Sequence, residues 1–281
     1  MNNSEKLKSK IRRIAKSKNL NPNELLQMFL FERIIERISL SPYKDLFILK
    51  GGLLIASIIG VFQRTTIDMD CTLKGIPVNE EQISKLLNEV LSIGVNDGIT
   101  YELKKLIPIN EESEYKNYRA KINARYGVIN APMKIDLTVG DEITPKELDY
   151  TYNLNFENKV ITIKAYPLET ILAEKYETLL RRNVFNTRSK DLYDIYILYK
   201  IKRQNISFAT LKEALIRTAK RRHSLNLLSE SQSILEGIKQ SDYQRKLWKN
   251  FVRTNTYCKN KSYEEVLSVI AKIDELINKT K

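Results

Sequence analysis

The chain has 281 residues, 42% of them hydrophobic, enough to bury one large core or two smaller ones. Nine glycines and seven prolines exclude a collagen-like or low-complexity chain, and the longest apolar run, Leu53–Phe62, is far short of the roughly 20 residues of a membrane span. The net charge of +13 is unevenly placed: residues 1–159 carry 23 Lys+Arg and 21 Asp+Glu, and residues 160–281 carry 24 and 13. That imbalance favours a polyanionic partner for the C-terminal part, with solubility alone as the alternative.

In chain order, the polar start MNNSEKLKSK is unlike a secretory signal. Two helices are expected over residues 4–40. The second starts on Asn21 as N-cap, with Pro22 at the first helical position and Glu24 at N3, and Ser41-Pro42 ends it. Leu46–Leu49 reads as a short strand and Ile67–Leu73 as an alternating one, with Ile67, Met69 and Cys71 on one face and Asp68, Asp70 and Thr72 on the other. After a helix near 79–92, the alternations Tyr118–Tyr126 and Met133–Val139 predict a hairpin that turns near Asn130-Ala131-Pro132. Val160–Ala165 is one more strand. Helices follow at about 167–182, 189–201, 207–222, 228–238, 241–253 and 262–278. The expected fold class is α/β (α+β): a mixed sheet preceded by N-terminal helices over residues 1–165, then a basic helical bundle over 166–281. Cys71, Cys258 and the single His223 show no metal-ligand spacing, and a soluble protein of a reducing cytoplasm is expected.

The chemistry concentrates in KGGLLIASIIGVFQRTTIDMD, Lys50–Asp70. Asp68 and Asp70 lie two apart on one strand, so both project from one face. Asp136 has the same setting on another strand. If the strands are neighbours, three carboxylates converge, and a hard cation such as Mg²⁺, which brings a nucleotide's phosphates with it, would relieve their repulsion. The alternative is a solvated polar face. Upstream, Gly51-Gly52 open a helical run, where backbone N–H groups approach a phosphate closely and Lys50 adds charge. A plain tight turn is the alternative.

Strand, double glycine, helix, then D-x-D with a third acid later resembles the nucleotidyltransferase superfamily of the polymerase-beta type. More narrowly, FILKGGLLIASIIGVFQRTTIDMD, KIDLTVGD (Lys134–Asp141) and LAEKYETLLRRNVFNTRSKDLYDIYIL (Leu172–Leu198) resemble, in order, three motifs of the AbiEii toxin family and the related MenT toxins. Fifteen residues separate Gly52 from Asp68, slightly more than the general superfamily pattern has. The resemblance implies a nucleotidyltransferase fold with a C-terminal helical part completing the active-site cleft. Asp68, Asp70 and Asp136 would be metal ligands, with Asp136 as base on the incoming hydroxyl. Gly51, Gly52 and Thr66 would hold the triphosphate, with Lys50 and Arg64 beside it. Lys175 would meet the nucleotide's phosphates, Asp191 would be required for activity, and Asp194 would serve nucleotide binding. It implies Mg²⁺, with Mn²⁺ as a substitute, and GTP or a pyrimidine triphosphate as substrate. The acceptor would be the tRNA 3′ end, in a bacterial toxin–antitoxin system of growth arrest and phage abortive infection. The cognate antitoxin would be a winged-helix repressor that need not bind this chain.

Residues alone add that Lys175, among Leu172, Tyr176 and Leu179, has a stem suited to partial burial. Asp191 and Asp194 share a helical face, solvated beside Arg188 and Lys190 in the alternative reading. Glu174 reads as surface, Tyr193, Tyr196 and Tyr199 as packing, and Trp248, between Lys246 and Lys249, as a core anchor. The run Arg217, Lys220, Arg221, Arg222 reads as helix-end charge or as contacts to RNA phosphates. Other readings remain: a nuclease, since Asp136 with Glu157-Asn158-Lys159 fits D…E-x-K; a non-catalytic nucleic-acid-binding module; and a transferase acting on a small molecule or protein.

Overall fold

The computed structural model describes residues 3–75, 79–109, 117–157 and 159–280. Asn158 of the D…E-x-K pattern lies outside them. The chain divides into two compact units, Met1–Asp141 with Leu148–Ala165, and Glu142–Glu147 with Tyr166–Lys281.

The first unit begins with α1 (Asn3–Lys18) and α2 (Pro22–Leu40). The Asn21 side chain accepts from the backbone N–H groups of Asn23 and Glu24, and Pro22 occupies the first turn, so α2 starts where the cap residues place it. Strands β1 (Phe47–Lys50), β2 (Met69–Leu73), β3 (Thr100–Ile109), β4 (Asn117–Tyr126), β5 (Ile129–Val139), β6 (Leu148–Leu154) and β7 (Lys159–Ala165) form one mixed sheet in the order β3-β4-β5-β2-β1-β7-β6. Helix α3 (Gly51–Ile59) packs on β1 and β2, and α4 (Glu80–Ser92) on β3. Alternation sorts the two faces: Met133, Ile135 and Leu137 of β5 are buried, whereas Lys134 and Asp136 between them are half-buried.

Three expectations need correcting. β2 starts at Met69, not Ile67; Ile67 is 47% exposed because the chain before Met69 is a bend and not yet paired to the sheet. The hairpin turns at Gly127-Val128, with Gly127 at φ +50, and Asn130-Ala131-Pro132 lie inside β5. A two-residue loop with positive φ at glycine matches strand twist, which a turn built on Pro132 does not. Strands β3 and β6, at the two edges of the sheet, were not anticipated, since their half-polar sequences lack a buried stripe.

The second unit contains α5 (Leu168–Arg182), α6 (Ser189–Lys202), α7 (Phe208–Arg221), α8 (Ser231–Gln240), α9 (Asp242–Thr254) and α10 (Tyr263–Lys279). Helix α5 packs on α6 and α7, and α10 on α6, α7 and α8. Tyr193 packs on Phe251 and Tyr257, and Trp248 on Phe251 and Tyr263, so these aromatics form the core of the bundle. No helix among the described residues is long and apolar enough to cross a membrane. Cys71 and Cys258 are buried and unbridged.

Candidate functional site

In the first unit β1 delivers Lys50 to the entrance of α3, and Gly51 takes the turn at φ +64. A β-carbon on Gly51 would stand 2.0 Å from Asp70 Oδ2, and one on Gly52 would stand 2.2 Å from Arg64 Nη1. The two glycines therefore make room for a carboxylate and a guanidinium within the protein itself. The Gly52 N–H donates to Asp70, so the first turn of α3 already supports a negative charge. Arg64 is buried, with Nη1 also near the Thr65 carbonyl at 3.4 Å.

Strand register then assembles a row. Lys50 of β1 lies opposite Asp70 of β2, Asp70 beside Asp136 of the parallel strand β5, and Asp136 opposite Arg119 of β4. Four neighbouring strands thus present Lys, Asp, Asp, Arg in one line. Burial raises the Asp70 carboxyl above its ordinary range. Lys50 and the Gly52 N–H counter this, while Asp136 and Asp68 push in the same direction as burial. Arg119 grips Asp136 through both ends of its guanidinium, Nε to Oδ1 and Nη2 to Oδ2, each at 2.7 Å. The bond to Asp136 raises the Arg119 pKa, fixing its charge.

The remaining predicted residues stand around this row. Asp68 precedes β2, half-exposed, with Lys134 Nζ at 3.3 Å from Oδ1. Thr66 is buried and turns inward: its hydroxyl donates to the Asp68 carbonyl at 3.2 Å and accepts from the Asp68 N–H at 3.4 Å. Lys50 Nζ donates to Asp141 Oδ2 at 2.6 Å, and Thr72 donates to the same oxygen at 2.7 Å; Thr138 donates to it as well. Burial opposes charge on Asp141, but Lys50 and the three donated bonds outweigh it and hold this carboxyl well below the usual range. Lys50 is thus oriented by Asp141 while its charge acts on Asp70.

Among the described residues no group of three or more His, Cys, Asp or Glu side chains is arranged to hold a metal ion. The donor chemistry still fits a hard divalent cation. Asp70 and Asp136 are lateral neighbours that raise each other's energy, their ligand atoms are all oxygen, and both already stand beside cationic side chains.

In the second unit Lys175 of α5 is held between two acids of α6, Nζ at 2.6 Å from Asp191 Oδ1 and 2.8 Å from Asp194 Oδ2. Asp194 is fully enclosed, so the two acids are not a solvated face. Their three-residue spacing puts both carboxylates on the side of α6 that meets α5. Glu174 is not simply surface: Arg222 bonds it at 3.1 Å and bonds the buried Glu177 at 2.6 Å. That ties Arg222, the last residue of the basic run, to two acids of α5.

The nuclease pattern is not assembled. Glu157 pairs with Arg33 at 2.7 Å and Lys159 with Glu36, and β2 and β1 stand between β5 and β7. Three strand spacings, about 14 Å sideways, separate the Asp136 strand from β7, and Lys159 lies a further seven residues, about 23 Å, along β7 from the position level with Lys50. Sequence reasoning missed Arg119, Lys134 and Asp141. Arg119 carried a usable signal, a basic residue on the polar face of a strand that pairs with the Asp136 strand.

A family model described as nucleotidyl transferase AbiEii toxin, type IV toxin–antitoxin system, matches residues 33–269. Among curated proteins none matches the chain. Two solved structures from Helicobacter pylori are similar. One, described as a nucleotidyltransferase, has a TM-score of 0.52 at 17% identity, covering 93% of this chain and 99% of its own. The other, JHP933, has a TM-score of 0.45 at 15% identity, covering 90% and 97%.

Proposed function

We propose a reaction from one premise: this chain belongs to the AbiEii family of nucleotidyltransferase toxins of type IV toxin–antitoxin systems. An NTP is the donor, and the family implies a cognate antitoxin. In our reading the acceptor is the tRNA 3′ end, the cation is Mg²⁺, with Mn²⁺ able to replace it, and the outcome is growth arrest that serves phage abortive infection. GTP and the pyrimidine triphosphates are the candidate donors. A winged-helix repressor is the proposed antitoxin.

The observation that supports this reading most is the lateral row Lys50, Asp70, Asp136, Arg119 beside the Gly51-Gly52 entrance to α3. Asp68, Asp70 and Asp136 would hold the cation, which neutralises phosphate charge and lowers the barrier to ionising a hydroxyl. With the Gly52 N–H given to Asp70, the other N–H groups at the start of α3 would orient the triphosphate, with Lys50 fixed by Asp141 and Arg64 packed under Gly52. Asp136 would take the proton of the acceptor hydroxyl as its oxygen bonds to the α-phosphorus. The bond from that phosphorus to the bridging oxygen breaks, and pyrophosphate leaves with the electron pair. We assign Lys175 to the nucleotide's phosphates, with Asp191 and Asp194 orienting its ammonium.

The test is the mass of tRNA recovered after incubation with Mg²⁺ and each NTP in turn. A gain of one or more nucleoside monophosphates is expected, and Asp70→Asn and Lys175→Ala should each abolish it. Shortened tRNA without incorporation would overturn the reading. Unchanged tRNA, together with growth arrest that the protein causes only when Asp70 and Lys175 are intact, would transfer the chemistry to a small-molecule or protein acceptor.

A further inference from the structure

We propose that Arg119 is a positioning residue that withholds Asp136 from divalent cations until a nucleotide is present. The inference rests on the reading of Asp136 as a metal ligand.

The grip is specific. Arg119 and Asp136 are direct cross-strand partners in a hairpin closed by a two-residue turn, so the guanidinium is tethered beside the carboxylate. Both carboxylate oxygens are used, each at 2.7 Å. A planar fork on a carboxylate is among the stronger hydrogen-bonded ion pairs, and a single ammonium cannot reproduce it. A cation approaching Asp136 must therefore displace a competitor that is always at hand.

Charge around the row works in the same direction. Asp68, Asp70, Asp136 and Asp141 face Lys134, Lys50 and Arg119, so all but one of four negative charges are balanced and the field offered to a bare ion is reduced. Lys50 is buried and held by Asp141 at 2.6 Å. Arg119 differs, since its side chain is 37% exposed while it makes the paired bond. It also feels Asp68 and Asp70 as well as Asp136.

A triphosphate presents oxygens in the same fork geometry as a carboxylate. Transfer of Arg119 from Asp136 to a phosphate keeps its bonds and its charge satisfied, and it vacates Asp136 as the nucleotide brings its own cation. Loading of cation and nucleotide would then be mutually dependent, without any moving loop.

Mn²⁺ binding, followed by the electron paramagnetic resonance of the free ion with and without a non-hydrolysable NTP, tests this independently of turnover. Without nucleotide, Arg119→Gln should bind Mn²⁺ about tenfold or more tighter than wild type, the size of one charged hydrogen-bonded contact. Added nucleotide should then improve binding much less than it does in wild type. Arg119→Lys should fall between the two, and Asp136→Asn should erase the gain in the Arg119→Gln background. Equal or weaker Mn²⁺ affinity in an Arg119→Gln protein that melts normally would overturn the proposal. If that variant does not fold, Arg119→Lys decides: unchanged affinity without nucleotide overturns the exchange. Asp70→Asn separates the two levels. If it binds Mn²⁺ with nucleotide as well as wild type does, the assignment of the metal site fails and takes the exchange with it. If it loses binding while Arg119→Gln matches wild type, only the exchange fails.

Discussion

At Gly51 the space of a β-carbon is occupied by the Asp70 carboxylate, and the backbone sits at φ +64, where side chains are strained. Gly51→Ala should therefore do two things at once: strain the turn by about 1–2 kcal/mol and push Asp70 out of line with Asp136. A lower melting temperature together with loss of nucleotide transfer is expected, while a variant of full activity would show that Asp70 does not need its present position. Glu32 offers a second test at this scale. Its carboxylate accepts from the backbone N–H and side-chain amide of Asn155, at 3.0 and 2.7 Å. Burial outweighs those bonds and raises its pKa to about 7. An acid raised on folding contributes stability that is complete below its unfolded pKa, about 4.3, and lost as pH rises through the folded value. Stability should thus fall between roughly pH 4.5 and 7 by about 1–3 kcal/mol. Glu32→Gln should flatten that slope in urea titrations across the range. The glycines and acids of this site were legible in sequence because their types and spacing carry the chemistry. That Gly51 accommodates Asp70, as well as opening a helix for phosphate, was not legible, since the contact joins elements that the chain keeps apart.

Helix pairs and strand pairs decide the next level. Lys175 of α5 is clamped by Asp191 and Asp194 of α6, so charge joins two helices. Lys175→Met would take the Lys175 ammonium away from a fully buried aspartate and should destabilise the bundle, by about 3 kcal/mol because Lys175 keeps some exposure. Adding Asp194→Asn should recover part of that loss in chemical denaturation; if it recovers none, the clamp is not what Lys175 supplies to stability. In the sheet, one turn governs a functional pairing. A turn centred on Ala131 would set Asp136 opposite Tyr126. The actual turn at Gly127-Val128 sets it opposite Arg119. The alternation of β4 and β5 identified both strands and their polar faces, and it excludes the Ala131 turn, whose register lies an odd step of seven residues from the actual one; among registers of the right parity it does not choose. Arg119 was missed for that reason.

At the scale of the molecule, the excess positive charge lies in residues 160–281, with 24 Lys+Arg against 13 Asp+Glu. Within the helical unit, Lys246 and Lys249 are exposed three residues apart on α9, whereas Arg222 is bound inward. If this unit grips an RNA backbone, affinity should fall steeply with salt. Lys246→Glu with Lys249→Glu should weaken binding about tenfold or more and make the salt dependence shallower by roughly one to two. Filter binding at several ionic strengths measures both, and an unchanged slope would remove α9 from the interface. The uneven charge is a property of composition, and counting residues finds it. Which of those charges face outward is set by packing, and counting residues does not reveal it.

The sequence by itself determined the helices and five of the seven strands, the cap that starts α2, the aspartates and glycines of the first unit, and the lysine and acids of the second, because these are local matters of residue type and period. Tertiary structure alone decided which charges neutralise one another. It set Lys50 on Asp141, Arg119 on Asp136, and Lys175 between Asp191 and Asp194. An ion pair forms only where burial and register bring two chemically unremarkable side chains within a few ångströms, and that distance is a property of the folded chain.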